Sequence, residues 1–232
     1  MTTILAIDTS TTHVGVALGA AGAILVRTSE PAERRHAELL VPTIAARLRD
    51  AGLRPADLDA VAVGIGPGLF TGLRVGVTTA IVMARALAVP VVAVPTLELL
   101  AAPHAADGRV VAPVVDAKRR EVFGATFTSG PEGVRRLTED SVGPAADLAD
   151  ALERLGSDVL VVGDGAAAHP DAFAGRARLE VAGPGAAVPD PGALVQRAFE
   201  DLAAGVALDP DAVRPRYLRK SDAELNWERA RS

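Results

Sequence analysis

The chain has 232 residues, no cysteine, and 24 Lys+Arg against 29 Asp+Glu, a net charge of −5. Disulfide frameworks, cysteine zinc sites and thiol nucleophiles are excluded, and 49% hydrophobic with 23% charged residues is the composition of a folded chain with room for one large domain or two small lobes. Aromatic residues make up only 3%, too little material for a platform that stacks single-stranded nucleic acid, and the acidic balance argues in the same direction.

The opening residues lack a basic leader, and Asp8 interrupts the first apolar run. The longest apolar stretches, such as 89–95, are strand-sized and carry Pro, well short of the roughly 20 residues of a membrane span. A cytoplasmic location without membrane contact is expected. Three β-prone runs at 3–9, 13–18 and 23–28, separated by turn residues, read as an antiparallel meander. An amphipathic helix follows over 37–48, where Leu40, Ile44 and Leu48 recur every four residues beside Val41 and Ala45. A strand at 61–65, a glycine-rich turn, a helix over 73–88 and a strand at 91–94 complete the first half. The second half repeats the order in weaker form: strands at 110–115, 121–127 and 134–137, a helix at 145–155, a strand at 159–162 and a long helix at 192–205. The expected division is an N-terminal lobe, 1–105, and a C-terminal lobe, 106–232, ending in a basic segment. The Gly/Pro-rich stretch 182–192 reads as a connecting loop.

Asp8-Thr-Ser10-Thr-Thr12 closes the first strand and enters a hairpin, a place where a carboxylate, hydroxyls and turn amides can hold magnesium and phosphate. The same string equally satisfies its own turn amides. Asp116 sits at the matching place in the second meander, and Gly163-Asp164-Gly165 follows a strand, where a nucleotide could approach bare backbone. Gly64-Ile-Gly66-Pro-Gly68-Leu-Phe-Thr-Gly72-Leu-Arg74 fits neither the dinucleotide fingerprint nor the P-loop. The helix it opens carries Gly72, Gly76, Thr79, Ala80 and Ala84, a small-residue face suited either to internal packing or to close approach by a partner helix. His13, His36, His104 and His169 are scattered and show no ligand spacing, so no metal site is expected; surface or capping roles suit His36 and His169. Arg214-Pro-Arg216-Tyr-Leu-Arg219-Lys220, near Tyr217 and Trp227, is the concentrated basic cluster and reads as a solvated tail held by Tyr217 and Leu218.

Taken together, Ile4-Leu-Ala-Ile-Asp8-Thr-Ser, His36-Ala-Glu-Leu-Leu40, Gly66-Pro-Gly68-Leu-Phe-Thr-Gly72-Leu-Arg74-Val-Gly76, Asp116-Ala-Lys-Arg and Pro215-Arg-Tyr-Leu-Arg219 resemble the TsaB family of bacteria over essentially the whole chain. The resemblance implies an α/β, two-lobed actin/Hsp70/sugar-kinase-like (ASKHA) fold of duplicated βββαβα units. It implies a non-catalytic scaffold that activates the catalytic paralogue TsaD, which transfers a threonylcarbamoyl group to the adenosine beside the anticodon of tRNAs reading ANN codons. The paralogue carries two metal-binding histidines where this chain has Thr96 and Leu100, neither able to replace an imidazole ligand. Asp8, Ser10, Asp116, Gly163, Asp164 and Gly165 then read as a vestigial nucleotide cleft. The partner-binding face implied is His36, Leu39, Leu40, Thr43 and Arg47 on one helix, with Gly72, Leu73, Arg74, Gly76, Val77 and Ala80 on the other; close approach there depends on the missing side chain at Gly76. The same face implies a homodimer when the partner is absent. The ATPase TsaE joins the assembled complex, tRNA is met through the complex, and no cofactor is the chain's own, ATP or ADP belonging to the subunit interface or the partners. The competing reading is an autonomous ATPase or small-molecule kinase of the same fold using Asp8 and Asp116.

Overall fold

The computed structural model describes residues 2–106, 108–130 and 133–219. Strands β1 (Thr3–Asp8), β2 (His13–Ala20) and β3 (Ala23–Pro31) form the expected meander. Helix α1 (His36–Asp50), strand β4 (Ala60–Gly64), helix α2 (Phe70–Leu87) and strand β5 (Val91–Val94) follow. The sheet runs β3-β2-β1-β4-β5, antiparallel across the meander and parallel from β1 to β5. Every residue of β1 and β4 is buried, as continuous apolar runs in central strands covered on both faces require. On one face, Leu40, Ile44 and Leu48 of α1 join Val77, Ala80 and Ala84 of α2 over Leu5, Ile7, Val61 and Val63. Helix α2 is long and apolar enough, by length and composition alone, to cross a membrane, a test that the core helix of a globular fold also passes. Here its apolarity serves the sheet on one flank.

A short helix, α3 (Thr96–Ala101), leads out of this unit. The second unit holds β6 (Val110–Lys118), β7 (Glu121–Gly124), β8 (Phe127–Gly130), β9 (Gly133–Arg136), β10 (Ser141–Pro144), α4 (Ala145–Glu153), β11 (Val159–Val162), α5 (Gly165–Ala168), α6 (Pro170–Phe173), β12 (Leu179–Val181) and α7 (Pro191–Ala203). Its principal order, β10-β7-β6-β11-β12, repeats the first sheet strand for strand, with the same change from antiparallel to parallel pairing at the central strand. The expected strand 121–127 is two strands, because β7 pairs with the end of β6 while Phe127 of β8 reaches back to Val111 near its start. The run at 134–137 pairs only with β8 and stands outside the principal order. The place of the third meander strand is taken by β10, whose Ser-Val-Gly-Pro sequence carries little β signal.

Helix α7 departs from its position in sequence. Leu194, Val195 and Ala198 of α7 pack on Ile4, Ala6, Ala17, Ala62 and Val92, covering the second face of the first sheet. Helix α3 does the reverse, placing Leu97, Leu100 and Ala101 among Val111, Val115 and Phe127 of the second. Arg197 on α7 and Glu98 on α3 pair with each other, and the N-terminal cap of α7, Asp190, pairs with Arg27 on β3 at 2.7 Å. The chain then returns along β5, where Leu208 and Val91 exchange backbone hydrogen bonds of 2.8 and 2.9 Å.

Candidate functional site

The turn between β1 and β2 is held from three sides. Asp8, 2% exposed, accepts at Oδ1 from the Ser10 amide (3.1 Å) and hydroxyl (2.8 Å). Its Oδ2 lies against Gly64, where a Cβ would overlap it, and has no hydrogen-bond partner among the described residues. Burial pushes the Asp8 carboxyl from 3.8 to about 6, against the pull of the two Ser10 hydrogen bonds. The start of α2 supplies the second side. The Leu69 amide donates to Ser10 O at 2.7 Å, and Thr9 Oγ1 donates to Gly72 O at 2.7 Å. A Cβ at Gly68 would overlap Ser10 O, one at Gly72 would overlap Thr9 O, and one at Gly76 would overlap Thr9 Oγ1. The third side is His36, buried at the start of α1, whose Nε2 is 2.9 Å from Thr11 O.

These contacts correct two expectations. The glycines of α2 are consumed inside the lobe, letting the helix sit on the hairpin, so a side chain at Gly76 would break this packing before it met any partner. His36 is a buried brace rather than a surface or capping residue. Of the remaining candidates on these helices, Leu40, Thr43, Leu73, Val77 and Ala80 are also buried within the lobe. Leu39 and Arg47 are half-buried, with Arg47 paired to Asp50 at 2.8 Å. Arg74 is exposed, its guanidinium 3.9 Å above the Phe70 ring. The outward apolar residues that sequence reading missed are Val41, 60% exposed on α1, and Val82, 57% exposed on α2. Val41 and Ala45 adjoin Leu40, Ile44 and Leu48 in sequence, but a helix turns 100° per residue, which carries both off the sheet.

The matching turn of the second unit gathers charge. Asp116 Oδ2 pairs with Lys118 Nζ at 2.6 Å, and its Oδ1 accepts from the Lys118 amide at 2.9 Å and lies 3.2 Å from His169 Nε2. The Asp116 amide donates to Asp164 Oδ1 at 2.9 Å. Burial acts to raise the Asp116 carboxyl, but the Lys118 and His169 contacts outweigh it and hold it below its usual value; the half-buried Asp164 is raised by desolvation, with the Asp116 charge adding to it. Burial lowers His13, with Asp164 of the turn after β11 opposing and His36 adding to the shift. His169 is therefore part of the site, contrary to the surface role expected from its position before Pro170. Its spacing from Asp116 in sequence gave no signal. Gly163, at φ +96°, and Gly165 are pressed on Val114 of β6, so the Gly-Asp-Gly turn is packed on backbone rather than left bare for a ligand. Lys118, Arg119 and Arg120 all have φ near +60°, a run of left-handed residues that forms the tip of this hairpin.

Between the hairpins lies a cleft of about 860 Å³, walled by Phe70 to Gly72, Lys118, Arg119, Arg34 and residues 216–219. The C-terminal basic residues form part of this wall instead of a solvated tail: the Arg216 amide donates to Ile65 O at 2.7 Å, and the Tyr217 ring centroid is 5.0 Å from that of Phe70. Lys220 and Trp227 lie outside the described residues. Thr96 is buried and its Oγ1 accepts from the Gly66 amide at 3.1 Å, while Leu100 is built into the second core. Among the described residues no group of three or more potential ligands is arranged to hold a metal ion.

The family model of TsaD, tRNA N6-adenosine threonylcarbamoyltransferase, matches residues 28–227. The chain is 29% identical to the tRNA threonylcarbamoyladenosine biosynthesis protein TsaB of Bacillus subtilis, covering 97% of both chains. It is 31% identical to TsaB of Escherichia coli over 72% of this chain and 74% of that one. A solved Pseudomonas aeruginosa structure, described as similar to the peptidase YeaZ, superposes with a TM-score of 0.80 at 30% identity, covering 94% of this chain and 100% of the other. The ethanolamine utilization protein EutJ of Carboxydothermus hydrogenoformans, at 12% identity and a TM-score of 0.55 over 84% of this chain and 90% of that one, shares the fold.

Proposed function

Since the chain belongs to the TsaB family of tRNA threonylcarbamoyladenosine biosynthesis proteins, with the two-lobed actin-like fold, we propose that it serves that tRNA modification as a non-catalytic subunit that pairs with TsaD. The observation that carries this reading is what the chain does with the positions chemistry would need. Thr96 and Leu100, which stand where the resemblance puts the metal-binding histidines of the catalytic paralogue, are spent on a backbone hydrogen bond and on the second core. Asp8 is sealed against Gly64, its second oxygen without a hydrogen-bond partner among the described residues. A carboxylate enclosed in this way is poorly placed to share a hydrated magnesium with a triphosphate.

Pairing uses the outer face of α1 and α2, where Val41 and Val82 are exposed and Arg74 stands at the N-terminal end of α2. The buried residues of the same helices set the position of that face. TsaE joins the pair, ATP or ADP binds in the partners or between subunits, and in the absence of TsaD a second copy of the chain occupies the face. The protein works in the cytoplasm and meets tRNA through the complex.

Reconstitution with TsaD, TsaE and the enzyme that makes the carbamoyl adenylate tests this. Modified tRNA is expected only when the chain is present, with no nucleotide hydrolysis by the chain alone. The Val41→Glu/Val82→Glu variant is expected to keep its melting temperature and lose co-elution with TsaD, because two charges would be desolvated in an apolar contact. ATP turnover by the isolated chain, lost on Asp116→Asn, would favour an autonomous kinase or ATPase instead.

A further inference from the structure

The last described residues tie one lobe to the other. Val213 is buried in the first core, and the chain then runs along the wall of the cleft. On the first lobe, the Arg216 amide donates to Ile65 O at 2.7 Å, Tyr217 packs on Phe70, and Arg74 Nε donates to Tyr217 Oη at 3.2 Å. On the second lobe, Arg216 Nε pairs with Asp140 Oδ2 at 2.9 Å, Leu218 packs against the core that holds Phe127, and Arg219 Nη1 pairs with Glu121 Oε2 at 2.7 Å. Asp140 is 1% exposed and also pairs with Arg136, so this attachment ends on a buried charge that is costly to strip of partners. Arg216 thus grips the first lobe with its backbone and the second with its side chain.

We propose that residues 213–219 are a strap that fixes the angle between the lobes and holds the cleft at one width. Two-lobed folds open and close by hinge rotation, and here the strap acts together with the exchanged helices α3 and α7 and the Arg197–Glu98 pair. A rotation of about 10° acting about 20 Å from the hinge displaces the far attachments by about 3.5 Å, enough to break ion pairs and hydrogen bonds of this length. The cleft side chains Arg216 and Arg219 are committed to carboxylates of the second lobe, so they act as fasteners between lobes rather than as ligands for an anion entering the cleft. The strap concerns this chain alone and does not depend on its partner.

The absence of native cysteine makes a clean test available. Ala56→Cys, exposed between α1 and β4, and Ser157→Cys after α4 allow spin labels, one on each lobe, in the full chain diluted with unlabelled chain so that a second copy contributes no distance. Pulsed electron resonance is expected to give one narrow distance population in the labelled chain. With Arg216→Gln/Arg219→Gln, or separately Tyr217→Ala, the distribution is expected to broaden at least about twofold, with circular dichroism showing both variants folded. A broad distribution in the labelled chain with its strap intact would overturn the proposal whatever the variants do. So would an unchanged width in a folded strap variant.

Discussion

Asp8 shows how one side chain sets a pH dependence for the whole chain. Its carboxyl titrates at about 6 when folded and near 3.8 when free, because burial disfavours the charged form more than Ser10 favours it. Between these values the folded chain holds a proton that the unfolded chain has released. Stability contributed by Asp8 is therefore complete below about 3.8 and declines as pH rises to about 6, leaving a penalty of up to about 3 kcal/mol at neutral pH. Asp8→Asn keeps an acceptor for Ser10 and removes the charge, so it is expected to be more stable than the parent at pH 7.5, with the advantage vanishing near pH 4. Denaturant melts across that range measure it; an advantage independent of pH would mean that burial of the charge is not its source. Asp8 could be picked out in the sequence because a carboxylate interrupts an apolar strand. That it is enclosed could not, since the enclosing residue is Gly64, a gap rather than a group. His169 failed in the opposite way: it touches Asp116 across 53 positions of chain, and no local pattern announces such a contact.

At the scale of elements, the helices and central strands were legible because their apolar residues repeat at 3.6 or run unbroken. The second meander was less so, because β6 serves two partners in succession and its neighbours β7 and β8 share one apolar run. The glycine ridge of α2 was visible as a small-residue face, yet its partner was the chain's own Thr9-Ser10 turn. The tip at 118–120 was invisible, because nothing in Lys-Arg-Arg signals left-handed backbone. Each such residue carries a penalty that glycine does not, so Arg120→Gly, whose carbonyl goes on accepting from the Ala145 amide, is expected to raise stability by about 0.5–1 kcal/mol despite the extra freedom of glycine when unfolded. Equilibrium unfolding in urea reads this out, and a loss of stability would argue that the arginine side chain contributes more than its backbone costs.

For the whole molecule, the two units are copies in strand order that are not independent in space. Each sends its last helix to the other, α3 to the second sheet and α7 to the first, and Arg197 with Glu98 joins the pair. The division at 105/106, natural in sequence, would strip α7 from Ile4, Ala6, Ala62 and Val92. A fragment of residues 1–105 is accordingly expected to show no cooperative thermal transition by itself and to gain one when co-expressed with 106–232. A sharp transition in the isolated fragment would contradict the exchange of helices as a source of stability.

That exchange also has a meaning in time. A ribosome adding about 5–20 residues per second finishes β5 long before α7, so the first sheet to be made waits roughly 5–20 s with one apolar face uncovered. The unit begun first is the one completed last. During that interval the nascent chain offers a broad apolar surface to whatever waits at the tunnel exit, and folding of the first unit stays provisional until α7 has been made.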